Sequence, residues 1–150
     1  MENPLLELQE YENLQEALKK AKGPVQATGT LDSQKVHLMY WLGKDGGFPW
    51  KLVVTYDDQR AREIYDDFRS FTENVWLYPA KDLLFYSADI HGNLMTRQRI
   101  AVWRHLMEEE EGVVVTTLDG LMDHLLPLVF LKQQAVTVEN GQVMELDEWK

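Results

Sequence analysis

Apolar residues recur at helical spacing over the first 22 residues of the chain. Neighbouring members of this series are three or four positions apart, which places them on one face of a helix. Gly23-Pro24 follows the series, and this pair is typical of a helix end. The pattern therefore predicts an amphipathic helix whose apolar stripe is formed by Leu5, Leu8, Tyr11, Leu14 and Leu18.

From residue 25 onward, short β-rich runs alternate with segments of helical period. The predicted strands are Val25–Thr28, Lys51–Tyr56, Asn74–Tyr78 and Val113–Thr117. The predicted helices cover 32–42, about 57–71, a segment beginning near Asn93, and 118–126. Strands that alternate with helices in this way, and that include unbroken valine runs, predict an α/β fold with a parallel sheet and helices on both faces.

Two of these helices have an assigned apolar face. The first follows Asp57 and Asp58, which supply an N-cap and first-turn negative charge, and its face consists of Ala61, Ile64, Tyr65 and Phe68. The second follows Asn93, its predicted cap, and its face consists of Ile100, Trp103, Leu106 and Met107. It runs into Glu108–Glu111, with Gly112 as its predicted end. Four carboxylates at the C-terminus of a helix interact unfavourably with its dipole. We therefore expect this end of the helix to fray, or its negative charge to be neutralised by a partner. The alternative is a charge run that is simply exposed to solvent.

After residue 132 the alternation of strands and helices gives way to a different pattern. Two β-rich runs, 134–138 and 143–146, flank an Asn140-Gly141 turn and predict a hairpin. We therefore assign residues 1–132 to the α/β domain and residues 133–150 to the beginning of a following domain. On this interpretation the chain is an incomplete piece of a longer protein.

The junction between the first predicted strand and its helix resembles a phosphate-binding loop. The working pattern is G-x-x-x-x-G-K-[ST], in which the second glycine lets backbone amides close around the phosphates and the hydroxyl binds Mg²⁺. Gly29 and Lys35 match this pattern, whereas Gln34 replaces the second glycine and Val36 replaces the hydroxyl. We favour a vestigial loop that holds no nucleotide, and a chance resemblance or a functional loop remain as alternatives.

The amino-acid composition of the chain disfavours or excludes several classes of function. The chain has 25 acidic and 15 basic residues, a formal net charge of −10, which disfavours tight nucleic-acid binding unless basic residues cluster. It has no cysteine, which excludes disulfides and thiolate chemistry, and its four scattered histidines predict no metal site. No secretory signal and no apolar run of bilayer length is visible, so we expect a cytoplasmic protein.

One basic cluster stands out against this acidic background. Arg97, Arg99 and Arg104 lie on the helix that ends in the glutamate run. Arg104 and Glu108 are four residues apart, so pairing within the helix is one interpretation of the cluster. Contact with a partner protein or with DNA is the other. No arrangement of residues predicts a catalytic site.

Several segments, taken in order, resemble the N-terminal module of bacterial transcription-repair coupling factors, which is itself similar to the damage-recognition helicase UvrB. The matching segments are Leu52–Thr55, Arg62–Phe71, Leu77–Tyr86, Arg97–Ile100 and Gly112–Leu121. The resemblance extends over nearly the whole chain, and it rests on the order of the segments because no single motif is diagnostic.

The resemblance implies a degenerate P-loop, RecA-like layer that has lost catalysis, as Gln34 and Val36 suggest. It implies a parent protein that displaces stalled RNA polymerase with a separate ATP- and Mg²⁺-dependent DNA translocase module, and that recruits UvrA through the adjoining domain. For this chain it implies no cofactor. The alternatives are the ATP-binding half of a UvrB-type helicase and a stand-alone α/β interaction module.

The resemblance also implies that some strands of the sheet are supplied by later parts of the parent chain. A fragment without them must leave strand edges bare, pair them in a dimer, or rearrange. We therefore expect a homodimer or an exposed sheet edge.

Overall fold

The computed structural model describes residues 2–80 and 89–122, without the side chains of residues 89–94. The described strands are β1 (Trp50–Thr55), β2 (Val75–Tyr78) and β3 (Gly112–Thr117). The described helices are a 3-10 helix (Pro4–Glu7), α1 (Gln9–Lys20), α2 (Asp32–Asp45), α3 (Asp58–Arg69), α4 (Asp89–Glu108) and α5 (Leu118–Met122). The α/β class predicted from the alternating pattern is confirmed.

The three strands form an open, all-parallel sheet in the order β1-β3-β2. The central strand β3 is buried along its whole length, as its unbroken Val113-Val114-Val115 run predicts for a strand covered on both faces. Val115 lies opposite Val53 of β1 and Leu77 of β2.

Each face of the sheet has its own apolar cluster. On one face, α2 and α3 pack on β3 through a buried cluster of Val36, Ala61, Ile64, Phe68, Val75, Val113 and Val115. On the other face, Val102 of α4 packs with Tyr78 and Val114, and the Trp50, Trp76, Trp103 and Leu106 side chains surround them. Helices therefore pack on both faces, as predicted, but the α4 face is left uncovered at β1, where Leu52 and Val54 are exposed.

The helix α3 forms where the sequence predicts it and for the predicted reason. The Asp57 Oδ1 atom accepts a hydrogen bond of 2.7 Å from the Arg60 N–H, which satisfies one of the free amides of the first turn. Ala61, Ile64 and Phe68 are buried and Tyr65 is half-buried. The predicted N-cap and apolar face are both confirmed.

The predicted strand Val25–Thr28 is wrong, because these residues form no regular structure. Val25 is the one large apolar residue of the four, and it follows Pro24, which cannot donate a ladder hydrogen bond. The segment therefore has too little apolar surface to hold it in the sheet.

The first predicted helix is divided. Asn3 caps the 3-10 helix by accepting a hydrogen bond from the Leu5 N–H at 2.8 Å, and Leu8 is extended before α1 begins. Capping by Asn3 and the fixed φ of Pro4 favour a separate short turn here.

Three details predicted for α4 are also wrong. The helix begins at Asp89, so Asn93 lies inside it, and it ends at Glu108, so Gly112 opens β3 instead of ending the helix. Ile100 is 55% exposed, whereas Val102 and Arg99 are buried. Trp103 and Leu106 of the predicted face do pack on the sheet, so the face differs from the prediction only at its start, where Val102 and Arg99, which lies against Tyr78, are buried in place of Ile100.

The predicted hairpin, the boundary at residues 132 and 133, and the last residues of the helix predicted to end at Leu126 lie outside the described residues. Among the residues that are described, no helix is both long enough and apolar enough to cross a membrane.

Candidate functional site

The loop before α2 keeps one feature of a phosphate loop. Gly29 has a φ of +84°, a conformation that glycine adopts readily. The loop leads into the N-terminus of α2, but an irregular segment replaces the strand that would normally precede it. The Gln34 side chain accepts a hydrogen bond from the Leu31 N–H at 3.1 Å, so Gln34 caps the helix where a phosphate loop would have its second glycine.

The cation of this loop is bound by a carboxylate of the same chain. Lys35 Nζ lies 3.1 Å from Asp32 Oδ1, and Arg60 Nη2 lies 3.1 Å from the same oxygen. Arg60 also pairs with Glu63 at 2.8 Å. The hydrogen bond from Lys35 and the charge of Arg60 lower the pKa of Asp32, and Arg60 lowers the pKa of Glu63. The charges at this point therefore balance one another.

Val36 has no exposed surface and belongs to the cluster between α2, α3 and the sheet. A residue at this position points into the core and not toward the loop. The four residues of the predicted phosphate loop are therefore a positive-φ glycine, a capping glutamine, a carboxylate-bound lysine and a core valine.

A cleft of about 440 Å³ lies beside this loop, between the N-terminal segment and α2. Its lining is mainly apolar, and Glu10 is the charged side chain among the described residues that line it. Phosphate sites present cations and backbone amides to their ligand. The described lining of this cleft consists of leucines, polar side chains that include Thr30 and His37, and one carboxylate, and it includes no lysine or arginine.

A polar cluster that the sequence did not reveal shares Tyr11 with this cleft. Asp45 Oδ2 accepts hydrogen bonds from Asn3 Nδ2 (2.6 Å), Tyr11 Oη (2.7 Å) and Gln15 Nε2 (3.1 Å). Burial and the hydrogen bond to Asp45 raise the pKa of Tyr11 to about 12. The cluster attaches the N-terminal segment to the end of α2, and sequence spacing gives no signal for it because the partners are 30 to 42 residues apart.

The structure separates the three arginines of the predicted basic cluster. Arg99 is buried, donates to the Pro79 carbonyl at 3.2 Å, and lies 4.5 Å from the centre of the Tyr78 ring. Arg104 pairs with both carboxylate oxygens of Glu108 at 2.9 Å. Arg97 is exposed. Two of the three side chains therefore make intramolecular contacts, and Arg97 remains accessible to a partner.

Ligands of open α/β sheets usually bind at the carboxyl ends of the strands. Here the hydroxyl of Thr116 donates to the Tyr78 carbonyl at 2.8 Å, and the hydroxyl of Thr117 accepts from the Gly120 N–H at 3.1 Å. The Thr117 hydroxyl thus caps the first turn of α5, and the Thr116 hydroxyl links β3 to β2. In the part of the chain that the structure describes, no group of three or more metal-ligating side chains comes together.

No protein-family model, no curated protein and no solved structure matches this chain.

Proposed function

We propose that the chain is the non-catalytic N-terminal scaffold of a bacterial transcription-repair coupling factor, with a degenerate P-loop, RecA-like layer related to that of UvrB. On this proposal the chain binds no nucleotide and supports an adjoining UvrA-binding domain. RNA polymerase and DNA are contacted by other parts of the parent protein, whose motor module uses ATP and Mg²⁺.

The observation that carries the proposal is the state of the loop at Gly29. A nucleotide-binding half needs a lysine ammonium free for the phosphates and a hydroxyl for Mg²⁺. Lys35 is bound to Asp32 instead, and Val36 is a core residue. This arrangement favours a scaffold over the ATP-binding half of a UvrB-type helicase.

The edge of the sheet at β1 gives further support. Leu52 and Val54 lie on the same face of this strand and are 59% and 45% exposed. Apolar side chains on an open edge are expected where further strands, supplied by another part of a larger domain, complete the sheet. A stand-alone interaction module would be expected to cover or charge such an edge.

The proposal is tested in the cell from which the gene comes. After ultraviolet irradiation, the removal of lesions is measured separately on the transcribed and non-transcribed strands of an active gene. We expect deletion of the coding sequence for residues 1–150 to abolish the faster repair of the transcribed strand.

A matched variant separates the three interpretations. Lys35→Ala in the otherwise intact gene is expected to keep the strand preference, because Lys35 serves only a surface ion pair. If Lys35→Ala were as damaging as the deletion, the ATP-binding half would be favoured. If the deletion left the strand preference intact, the chain would have no role in transcription-coupled repair.

A further inference from the structure

The outer edge of β2 carries backbone groups that the sheet does not use. The Val113 N–H donates to the Asn74 carbonyl at 2.9 Å, and Val75 lies opposite Val113. In a parallel ladder this arrangement turns the peptide groups of Val75 and Leu77 away from β3. The Val75 N–H bonds to the Glu73 carbonyl at 2.9 Å. Among the described residues, the Leu77 N–H and carbonyl have no partner.

These groups lie in a trough between two helices, which we call the β2 trough. Its volume is about 400 Å³. It is lined by Arg62, Tyr65 and Asp66 of α3, by Gln98, Ala101 and Val102 of α4, and by Trp76 and Leu77 of β2. Apolar surface on both sides of an open strand edge is the geometry in which peptides add to a sheet.

One end of the β2 trough carries two exposed arginines, and Asp66, one helical turn further along α3, is the carboxylate in its lining. Arg62 lines the trough from α3 and is exposed, and Arg97, next to Gln98 on α4, is also exposed. The hydrogen bond from Arg99 to the Pro79 carbonyl places this part of α4 beside the carboxyl end of β2. Neither Arg62 nor Arg97 forms an ion pair with another described residue. A carboxylate of a partner would complement this end of the trough.

We propose that the β2 trough binds an extended peptide segment of a partner protein by β-strand addition. The peptide backbone pairs with the N–H and carbonyl of Leu77. Its apolar side chains enter the trough against Tyr65 and Val102, and an acidic residue lies beside Arg62 and Arg97. This surface is independent of the function proposed above, and its test uses the chain alone.

The probe is a fluorescein-labelled peptide of sequence Asp-Val-Thr-Val-Thr-Val-Asp, which has an acid at each end and so fits either strand direction. Its control has the same sequence with every interior amide N-methylated, which removes the backbone donors and keeps the side chains and charges. Fluorescence anisotropy is expected to show saturable binding of the probe and no binding of the control. Equal binding of both peptides, or of neither, would overturn the proposal.

Charge reversal tests the end with the two arginines. Arg62→Glu and Arg97→Glu together are expected to weaken binding of the probe roughly tenfold. Lys19→Glu and Lys22→Glu together, which make the same change in net charge at two exposed residues without a described contact, are expected to leave binding unchanged. Equal effects of the two changes would mean that only the net charge matters and would contradict the proposed contact.

Hydrogen exchange at the Leu77 amide reports on occupancy of the edge. In the free chain this amide is expected to exchange rapidly, and the probe is expected to slow its exchange. Slow exchange without the probe would mean that the chain itself occupies the edge, and this would overturn the proposal. Binding of an oligo-dT strand in place of the peptide would assign the arginines to nucleic acid and would also overturn it.

Discussion

At the scale of single residues, Val36 shows most clearly how the loop at Gly29 differs from a working phosphate loop. The position that holds a metal-binding hydroxyl in a working phosphate loop is here a fully buried part of the core. Restoring the motif therefore conflicts with packing, because threonine is not a neutral replacement for a buried valine.

The double variant Gln34→Gly, Val36→Thr is expected to hydrolyse no ATP, because on the proposed function the acid that polarises Mg²⁺ in a working P-loop domain would be supplied by a later part of the parent chain. It should also lose about 1–3 kcal/mol of unfolding free energy, since a hydroxyl enters apolar surroundings and the cap on the Leu31 N–H is lost. Urea unfolding and a phosphate-release assay measure the two effects, with Gln34→Ala as the control for the cap. ATP hydrolysis by the double variant would contradict this account of the loop.

Tyr11 predicts a pH dependence of stability. Its pKa is about 12 in the folded chain and about 10 in an unfolded one. Between these values the unfolded state releases its proton first, so the full stabilisation is present below pH 10 and is lost as the pH rises toward 12. The loss amounts to roughly 2–3 kcal/mol.

Unfolding free energies of the natural chain and of Tyr11→Phe, measured in urea from pH 9 to 12, test this expectation. Other tyrosines and lysines titrate equally in both proteins, so only the difference between the two curves reports on Tyr11. We expect that difference to shrink as the pH rises from 10 to 12. Parallel curves would show that Tyr11 does not have the raised pKa.

At the scale of elements, the start of β3 depends on a glycine. Trp50 and Trp76 approach each other to 5.6 Å between ring centres, beside Gly112. A β-carbon on Gly112 would overlap the Trp76 ring and come within 2.8 Å of the Trp50 ring. The two edge strands of the sheet therefore contact each other across the central one only because this residue has no side chain.

Gly112→Ala is expected to lower the unfolding free energy by about 1–3 kcal/mol through overpacking. Gly23→Ala, where no atom lies within 4 Å of the added carbon, should change it by less than about 0.5 kcal/mol. Thermal or urea unfolding followed by circular dichroism compares the two. Similar effects of both substitutions would mean that the tryptophans make room easily.

Elements with a strong local signal were predictable from the sequence. The valine run of β3 and the Asp57 cap of α3 correspond to packing and hydrogen bonds that local sequence determines. The predictions that were wrong concern segments whose structure or burial depends on tertiary contacts. Val25–Thr28 was predicted as a β-rich run but has only one large apolar residue, and the buried face of α4 includes Arg99, which the pattern of apolar residues could not identify.

In the candidate sites, too, some features were predictable from the local sequence and others depend on tertiary packing. The replacement of a glycine and a hydroxyl by Gln34 and Val36 was visible in the sequence, whereas the ion pair of Lys35 with Asp32 and Arg60 required the packing of α2 against α3. The β2 trough was not predictable, because its walls come from residues 62–66 of one helix and 98–102 of another, which are distant in sequence.

At the scale of the whole molecule, the open sheet predicts that two copies of the chain associate. β1 is an edge strand whose Leu52 and Val54 side chains are exposed on the α4 face of the sheet, and apolar edge strands pair readily with another chain. We expect a concentration-dependent homodimer in light scattering, and we expect Val54→Lys to abolish it while Val54→Thr does not. A natural chain that is monomeric at all concentrations would contradict pairing of this edge in a dimer.

The central claim is that the loop at Gly29 no longer binds nucleotide, and a thermal melt with and without saturating Mg²⁺–ATP tests it most directly. A ligand at 100 times its Kd would stabilise the folded chain by about 2.7 kcal/mol, a shift of several degrees for a domain of this size. The account predicts no shift for the natural chain and none for Lys35→Ala. A shift of several degrees that disappears in Lys35→Ala would show that the loop still binds phosphate and would contradict the account.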